Sequence, residues 1–335
     1  MEITDKLFIV TVPVANIRGK PVDAKPSYIH DDLQETQVLY NETLRYLDET
    51  DDWYYVEAIE QKKFTSKSIR QGYPGWIRKS SVVMLDAPVT YNAVVKNRTA
   101  CILKNRLENA GLLLTVSIGT KLTVNEAPDK KYYSVVFGGN KRGYINKDDI
   151  TDAKANLNKS ALRKAIVSTG RLFLGTPYLW GGRSVFMAGL SEVRQRAGGK
   201  GQGVKGSIFN IQHSIQNTVN TGVDCSGLTN LVYRANNIDI PRDAQEQWTA
   251  AQKITHSSPK AGDLIFISAE GRPDFINHVM LYIGSERFIE AAETGDTVVV
   301  STFVKRFGES FNQLAEHDFV IRNKQIHFGS IILNQ

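Results

Sequence analysis

Apolar positions set the first landmark in this chain. After Cys225 they fall at Leu228, Leu231, Val232 and Ala235, the i, i+3, i+4, i+7 spacing of a helix with one buried face. Asp224 stands just before that run, and its short carboxylate suits the N-cap, which places Cys225 at the first helical position. Upstream, Leu162, Ala165, Ile166, Thr169, Leu172 and Phe173 predict an amphipathic helix ending near Gly175, and a short helix is expected over 244–251. The pattern then changes to short β-branched and aromatic runs at 263–267, 278–283, 288–291, 297–301 and 319–321, which read as strands. Helices followed by an antiparallel sheet predict an α+β unit over 151–335.

The first 150 residues lack helical periodicity of useful length. Short apolar and aromatic runs at 7–14, 37–40, 44–47, 53–59, 75–77 and 82–85, separated by Pro, Asp and Gly, predict a small all-β barrel over 1–86. Residues 87–150 repeat it. Gly75-Trp76-Ile77-Arg78-Lys79-Ser80-Ser81-Val82 aligns with Gly143-Tyr144-Ile145-Asn146-Lys147-Asp148-Asp149-Ile150, 68 residues later. Leu44 and Tyr54-Tyr55 align with Leu122 and Tyr132-Tyr133 at a spacing of 78, so the first copy carries ten extra residues near 61–70. An internal duplication accounts for this. On strand pattern and turn motif the two modules resemble bacterial SH3-like domains, which bind cell-wall peptides or shape a neighbouring active site.

Composition removes several classes. Only Cys101 and Cys225 occur among 335 residues, which excludes a disulfide framework and a cysteine-rich zinc site. The net charge is +6, but the basic residues are interleaved with acids and form no basic helix or aromatic–basic stripe, so no nucleic-acid partner is expected. No run is long and apolar enough for a membrane span, and Met1-Glu2-Ile3-Thr4-Asp5 does not open a signal peptide, so a cytoplasmic protein is expected, or an exported one if the sequence begins after a removed leader. No cofactor or metal is expected. The Gly- and Lys-rich run 198–206 is not a phosphate loop, because no Gly-Lys is followed by Ser or Thr and no strand precedes it.

Cys225 has two readings on its own: a small buried hydrophobe, or a nucleophile favoured as thiolate by the helix's positive end. A nucleophile needs a base, and the base needs an orienting group. Of His30, His213, His256, His278, His317 and His327, only His278 heads an apolar run, Val279-Met280-Leu281-Tyr282-Ile283. A cysteine at a helix start and a histidine at a downstream strand start form the papain-like arrangement, with Cys101 left to packing.

Pro177-Tyr178-Leu179-Trp180-Gly181-Gly182, Asp224-Cys225-Ser226-Gly227-Leu228, Pro241-Arg242-Asp243-Ala244, Gly262-Asp263-Leu264-Ile265-Phe266 and His278-Val279-Met280-Leu281-Tyr282-Ile283-Gly284 stand in the order found in NlpC-type cysteine peptidases, which this chain resembles over about 158–325. With two SH3-like modules ahead, it resembles the γ-D-glutamyl-L-diamino-acid endopeptidases that cut murein peptides. The resemblance implies Cys225 as nucleophile and His278 as base. Tyr178 is implied at the oxyanion, with Asp224 and Arg242 beside the cleft and Ser226 on the D-glutamyl carboxylate. Asp243 is implied to bind the free amine of an N-terminal L-Ala, helped from the first module by Tyr73 and Glu35, with Glu42 as the alternative.

Two departures stand out. The third polar residue, usually histidine, falls at Glu290, and the insert 184–221 is long, with the glycines and basic residues of a loop at the cleft rim. Three alternatives stay open: an amidase or deconjugase using the same machinery, an exported hydrolase of intact peptidoglycan, and a non-catalytic wall-binding protein.

Overall fold

A computed structural model describes residues 6–24, 30–64, 70–86, 89–107, 110–126, 130–137, 141–155, 157–185, 219–255 and 259–332. His213, His256 and the expected rim loop over 186–218 lie outside the described residues.

Seven strands build the first sheet, in the order Gln34–Leu39, Val14–Arg18, Arg70–Arg78, Trp53–Phe64, Thr43–Thr50, Leu7–Val10 and Val82–Leu85. The single run expected over 7–14 is two strands, because Pro13 has no N–H to give a ladder and breaks it. Val10, Ile17, Val38, Leu44, Val56 and Ile77 close the core with no exposed surface. The next unit pairs Leu112–Ser117, Thr99–Leu103, Lys141–Asn146, Tyr132–Phe137 and Val124–Glu126, with a three-stranded sheet of Lys121–Leu122, Ala93–Val95 and Ile150–Asp152 beside it.

The duplication is visible in the backbone. In each copy a 3-10 turn follows the aromatic strand, Lys79–Ser81 and Lys147–Asp149, and leads into Val82–Leu85 and Ile150–Asp152. The ten extra residues lengthen one hairpin, Trp53–Phe64 against Arg70–Arg78, where the second copy has Tyr132–Phe137 against Lys141–Asn146. That longer hairpin reaches the third unit, where the Lys62 carbonyl accepts the Arg242 backbone N–H at 3.1 Å.

The third unit is α+β. Its sheet runs Gln252–Ile254, Lys324–Ser330, Leu264–Ala269, Arg272–Gly284, Arg287–Glu290 and Val299–Thr302, with Val320–Ile321 paired onto Lys324–Ser330. Leu264 and Phe266 point to the helix Cys225–Arg234, whose Leu228, Leu231 and Val232 are fully buried against them. Ile265 and Ile267 point the other way, to Phe303, Leu314 and Phe319. Both faces are covered, which is why this strand reads as a continuous apolar run rather than an alternating one.

One strand and two helices were missed in the sequence, and one strand start needs correction. Strand Lys324–Ser330 lies inside the sheet, yet its Lys, Gln, His and Gly hid it in the sequence. The helices Phe303–Phe307 and Phe311–Glu316 span too few turns to show a period. His278 does not open its strand, which starts six residues earlier at Arg272.

A buried ion network ties the units together. Arg234 donates to Glu60 at 2.9 Å, Asp239 at 3.1 Å and the Gly119 carbonyl at 2.7 Å. Lys121 closes it with Glu60 at 3.0 Å and Asp239 at 2.8 Å. Glu42 pairs with Arg183 here and accepts from Gln61 at 3.0 Å, so it is committed to packing and stands apart from the amine site offered as its alternative role.

Candidate active site

The Cys225 helix starts as the sequence predicts. Asp224 has extended backbone and its Oδ1 accepts the Gly227 N–H at 2.6 Å. The same carboxylate holds Arg242 at two points, Nη1 to Oδ1 at 3.0 Å and Nη2 to Oδ2 at 2.7 Å. Arg242 also donates from Nη1 to Ser226 Oγ at 2.9 Å and from Nε to Thr36 Oγ1, in the first β unit, at 2.7 Å. Burial alone would weaken this guanidinium's hold on its proton, but Asp224 more than offsets it and leaves the Arg242 pKa above its ordinary value. Arg242 and Ser226 are thus turned inward, bracing the N-cap and docking the β unit. Removing one member of such a buried pair strands the other's charge, so Arg242→Met should lower unfolding stability by about 3–5 kcal/mol, read from denaturant melts.

Tyr178 is set against this helix start by backbone pairing: it bridges Val223, and the Leu179 N–H donates to the Val223 carbonyl at 3.1 Å. The fit requires glycine. A Cβ on Gly227 would lie 2.1 Å from the Gly182 carbonyl oxygen, a backbone atom, so the two chain segments would have to move apart. Burial, with the charges of Asp224 and Cys225, pushes the Tyr178 phenol well above its ordinary pKa, so it stays an O–H donor at working pH.

His278 lies beside the helix start. One extra residue, Asn277, bulges the strand there: His278 pairs with Ile267, but the neighbouring Ser268 pairs with Ile276. Bulges of this kind re-aim side chains next to reactive sites. The buried Nε2 faces Glu290 Oε2 at 3.5 Å, an ion-pair distance without a well-aligned hydrogen bond. Glu290 ends strand Arg287–Glu290 and is only 2% exposed. Burial alone would push His278 down; the negative charges of Cys225 and Glu290 outweigh it and raise it to about 9.

The sign of the pH dependence follows. A raised imidazole keeps its proton to higher pH, so the thiolate–imidazolium pair should persist until the pH rises through about 9. Glu290→Gln removes a charge that favours the imidazolium, so the basic limb of the kcat/KM profile should move to lower pH. We expect a loss of about tenfold in kcat, with a larger loss for Glu290→Ala. Identical profiles for both variants and wild type would show that Glu290 does not orient His278.

A second cluster faces the same helix region from across the unit boundary. The Tyr73 hydroxyl stands 3.2 Å from Asp243 Oδ2 and 3.4 Å from Glu35 Oε2. Burial, then Asp243, pushes the Tyr73 phenol far up, so it remains a donor. Asp243 occupies an N-cap position yet makes no side-chain cap bond, which leaves its carboxylate facing Tyr73. Lys63, on the extended hairpin, lies 3.6 Å from Asp243 Oδ2 and 4.1 Å over the Tyr73 ring. Trp180 is 43% exposed and packs on His30 at 4.6 Å. Among the described residues no group of three or more His, Cys, Asp and Glu side chains is placed as a metal site would require.

The structure thus brings Cys225, His278 and Glu290 together, sets Tyr178 at the helix start, and gathers Glu35, Tyr73 and Asp243 into one acceptor cluster. Residues 175–312 match the family model described as NlpC/P60 family. These residues are an NlpC/P60 domain, a cysteine peptidase domain. A γ-D-glutamyl-L-lysine dipeptidyl-peptidase of Bacillus subtilis is 27% identical to the chain over 281 residues, covering 83% of this chain and 79% of that protein. One of the same name from Bacillus cereus is 26% identical over 278 residues, covering 79% and 69%. The crystal structure of an NlpC/P60 family protein from Bacillus cereus matches with a TM-score of 0.68 at 21% identity, over 97% of this chain and 99% of that one. The shared fold therefore extends beyond the NlpC/P60 domain into the β units.

Sequence reasoning missed Thr36 and Lys63, which bring the first β unit to this domain, and Arg306, which donates to Glu290 at 3.1 Å. For Lys63 a signal existed: the ten-residue offset between the repeats is the hairpin extension that carries it.

Proposed function

We propose that this protein is a cysteine endopeptidase that cuts the γ-D-glutamyl–diamino-acid bond of murein peptides carrying a free N-terminal L-Ala. The Cys225–His278–Glu290 row, with Tyr73 and Asp243 near the Arg242 that braces its helix start, is the observation that carries this reading, and the names of the two Bacillus relatives support it. We read the two β units as SH3-like modules, the first of which forms one wall of the cleft.

The thiolate of Cys225 attacks the γ-carbonyl. The oxyanion that forms meets the first-turn amide of Cys225, which has no partner inside its helix, and the Tyr178 hydroxyl. His278 passes its proton to the leaving amine of the diamino acid, giving a Cys225 thioester, and then activates the water that hydrolyses it. At the other end, the substrate's α-ammonium sits between Asp243 and Glu35, in the place that the Lys63 ammonium borders in the free protein. Ser226 is assigned to the D-glutamyl carboxylate; its hydroxyl would first have to turn its proton from Asp224 Oδ1, to which it donates at 3.2 Å.

Mass spectrometry of a digest of L-Ala-γ-D-Glu-L-Lys tests the proposal. Release of L-Ala-D-Glu and free lysine is expected, and cleavage at the Ala–Glu bond, or none, would refute it. The same digest with diaminopimelate in place of lysine reads which diamino acid is preferred.

A further inference from the structure

Glu290 serves two cations, only one of which belongs to the proposed triad. Its Oε2 accepts from Arg306 Nε at 3.1 Å, closer and better aligned than its 3.5 Å approach to His278 Nε2. The connection is short in sequence. Glu290 pairs with Val299 across the strand, Val299–Thr302 runs straight into helix Phe303–Phe307, and Arg306 reaches back from that helix. The carboxylate is 3% exposed and the arginine 41%, so one buried acid is held from inside by an imidazole and from the surface side by a guanidinium.

We propose that Arg306 is a positioning residue for catalysis: it fixes the Glu290 carboxylate toward His278 and balances its charge. The inference rests on the cysteine-peptidase reading of the site. Among the described residues the charged and titratable groups around these atoms are His278 and Arg306 at Glu290, and Cys225 and Glu290 at His278, with Tyr178 next to Cys225, and the paired Asp224 and Arg242 together with Glu293 around Tyr178. The working state holds thiolate, imidazolium, carboxylate and guanidinium, with no net charge. Without the guanidinium the buried row carries one negative charge. A proton then binds more readily to every member, and the carboxylate loses the hydrogen bond that fixes its rotamer.

The test is the pH dependence of kcat/KM for wild type, Arg306→Gln and Arg306→Lys on the γ-glutamyl peptide. Arg306→Gln should move both limbs of the profile to higher pH by about half to one unit and lower kcat about tenfold with little change in KM. Arg306→Lys should leave the limbs in place, because the charge remains, while kcat falls less. In a Glu290→Gln background, Arg306→Gln should shift the limbs clearly less, because only the direct effect of its charge on His278 and Cys225 remains. Limbs that stay put in Arg306→Gln while kcat or the melting temperature falls would mark Arg306 as merely structural and overturn the proposal. So would equal shifts with and without Glu290. If wild type itself fails to cleave the peptide, the functional reading fails first, and the His278 titration followed by NMR in the same variants still decides the role of Arg306.

Discussion

Cys225→Ala should abolish hydrolysis, with a loss of at least about 10⁴-fold in kcat, while the fold and melting behaviour stay those of wild type. The reason is local. Cys225 lies on the cleft side of the helix start, packed only in part, while the structural load there is carried by Asp224, Arg242 and Gly227. Removing a sulfur atom deletes the nucleophile but leaves the N-cap, the Arg242 docking and the Gly182–Gly227 approach intact. Cys101→Ala is the control: Cys101 pairs with Thr115 in the strand Thr99–Leu103 of the second β unit, and activity should not change. Residual activity in Cys225→Ala within tenfold of wild type would remove the thiol from the mechanism.

The second large effect concerns the free amine. N-acetylation of L-Ala-γ-D-Glu-L-Lys should lower kcat/KM by about 100-fold or more, because the acyl group takes away the charge and the donors that the half-buried carboxylates of Asp243 and Glu35 accept. Tyr73 is buried and locked as a donor, and it has one proton to share between the two carboxylates. A substrate ammonium brings three more donors to the same acceptors. Asp243→Ala should therefore cost most of that factor on the free peptide and almost nothing on the acetylated one, so the two substrates should converge. Parallel losses on both would place Asp243 in folding rather than in recognition. Equal turnover of intact wall and free peptide by wild type would remove the amine requirement altogether.

The sequence showed the chemistry more clearly than the frame that holds it. Cys225, Asp224 and the apolar face behind them were legible because a helix start has both a period and a capping residue. Glu290 could be placed only by its spacing from His278 and the intervening turn, and its neighbourhood proved to include Arg306, sixteen residues on and in a helix too short to announce itself. The strand around His278 reads as starting at the histidine because Arg272-Pro273-Asp274 and Asn277 interrupt the apolar pattern ahead of it, and the bulge at Asn277 leaves no mark in composition. Inter-unit contacts were the least legible. Arg242 finds Thr36, Arg183 finds Glu42 and Arg234 finds Glu60 across more than a hundred residues, and no local pattern encodes such pairs. Even so, the mismatch between the two repeat spacings marked the segment that grew into the hairpin meeting Asp243.

Trapping the acyl-enzyme tests both the bond and the nucleophile. Enzyme mixed with excess L-Ala-γ-D-Glu-L-Lys, quenched in acid within the first turnover and digested, should carry an L-Ala-γ-D-glutamyl group as a thioester on the Cys225 peptide. That group should be lost with hydroxylamine and absent from Cys225→Ala. Lysine released with no adduct on Cys225, or an adduct that retains lysine or sits on another residue, would contradict the account.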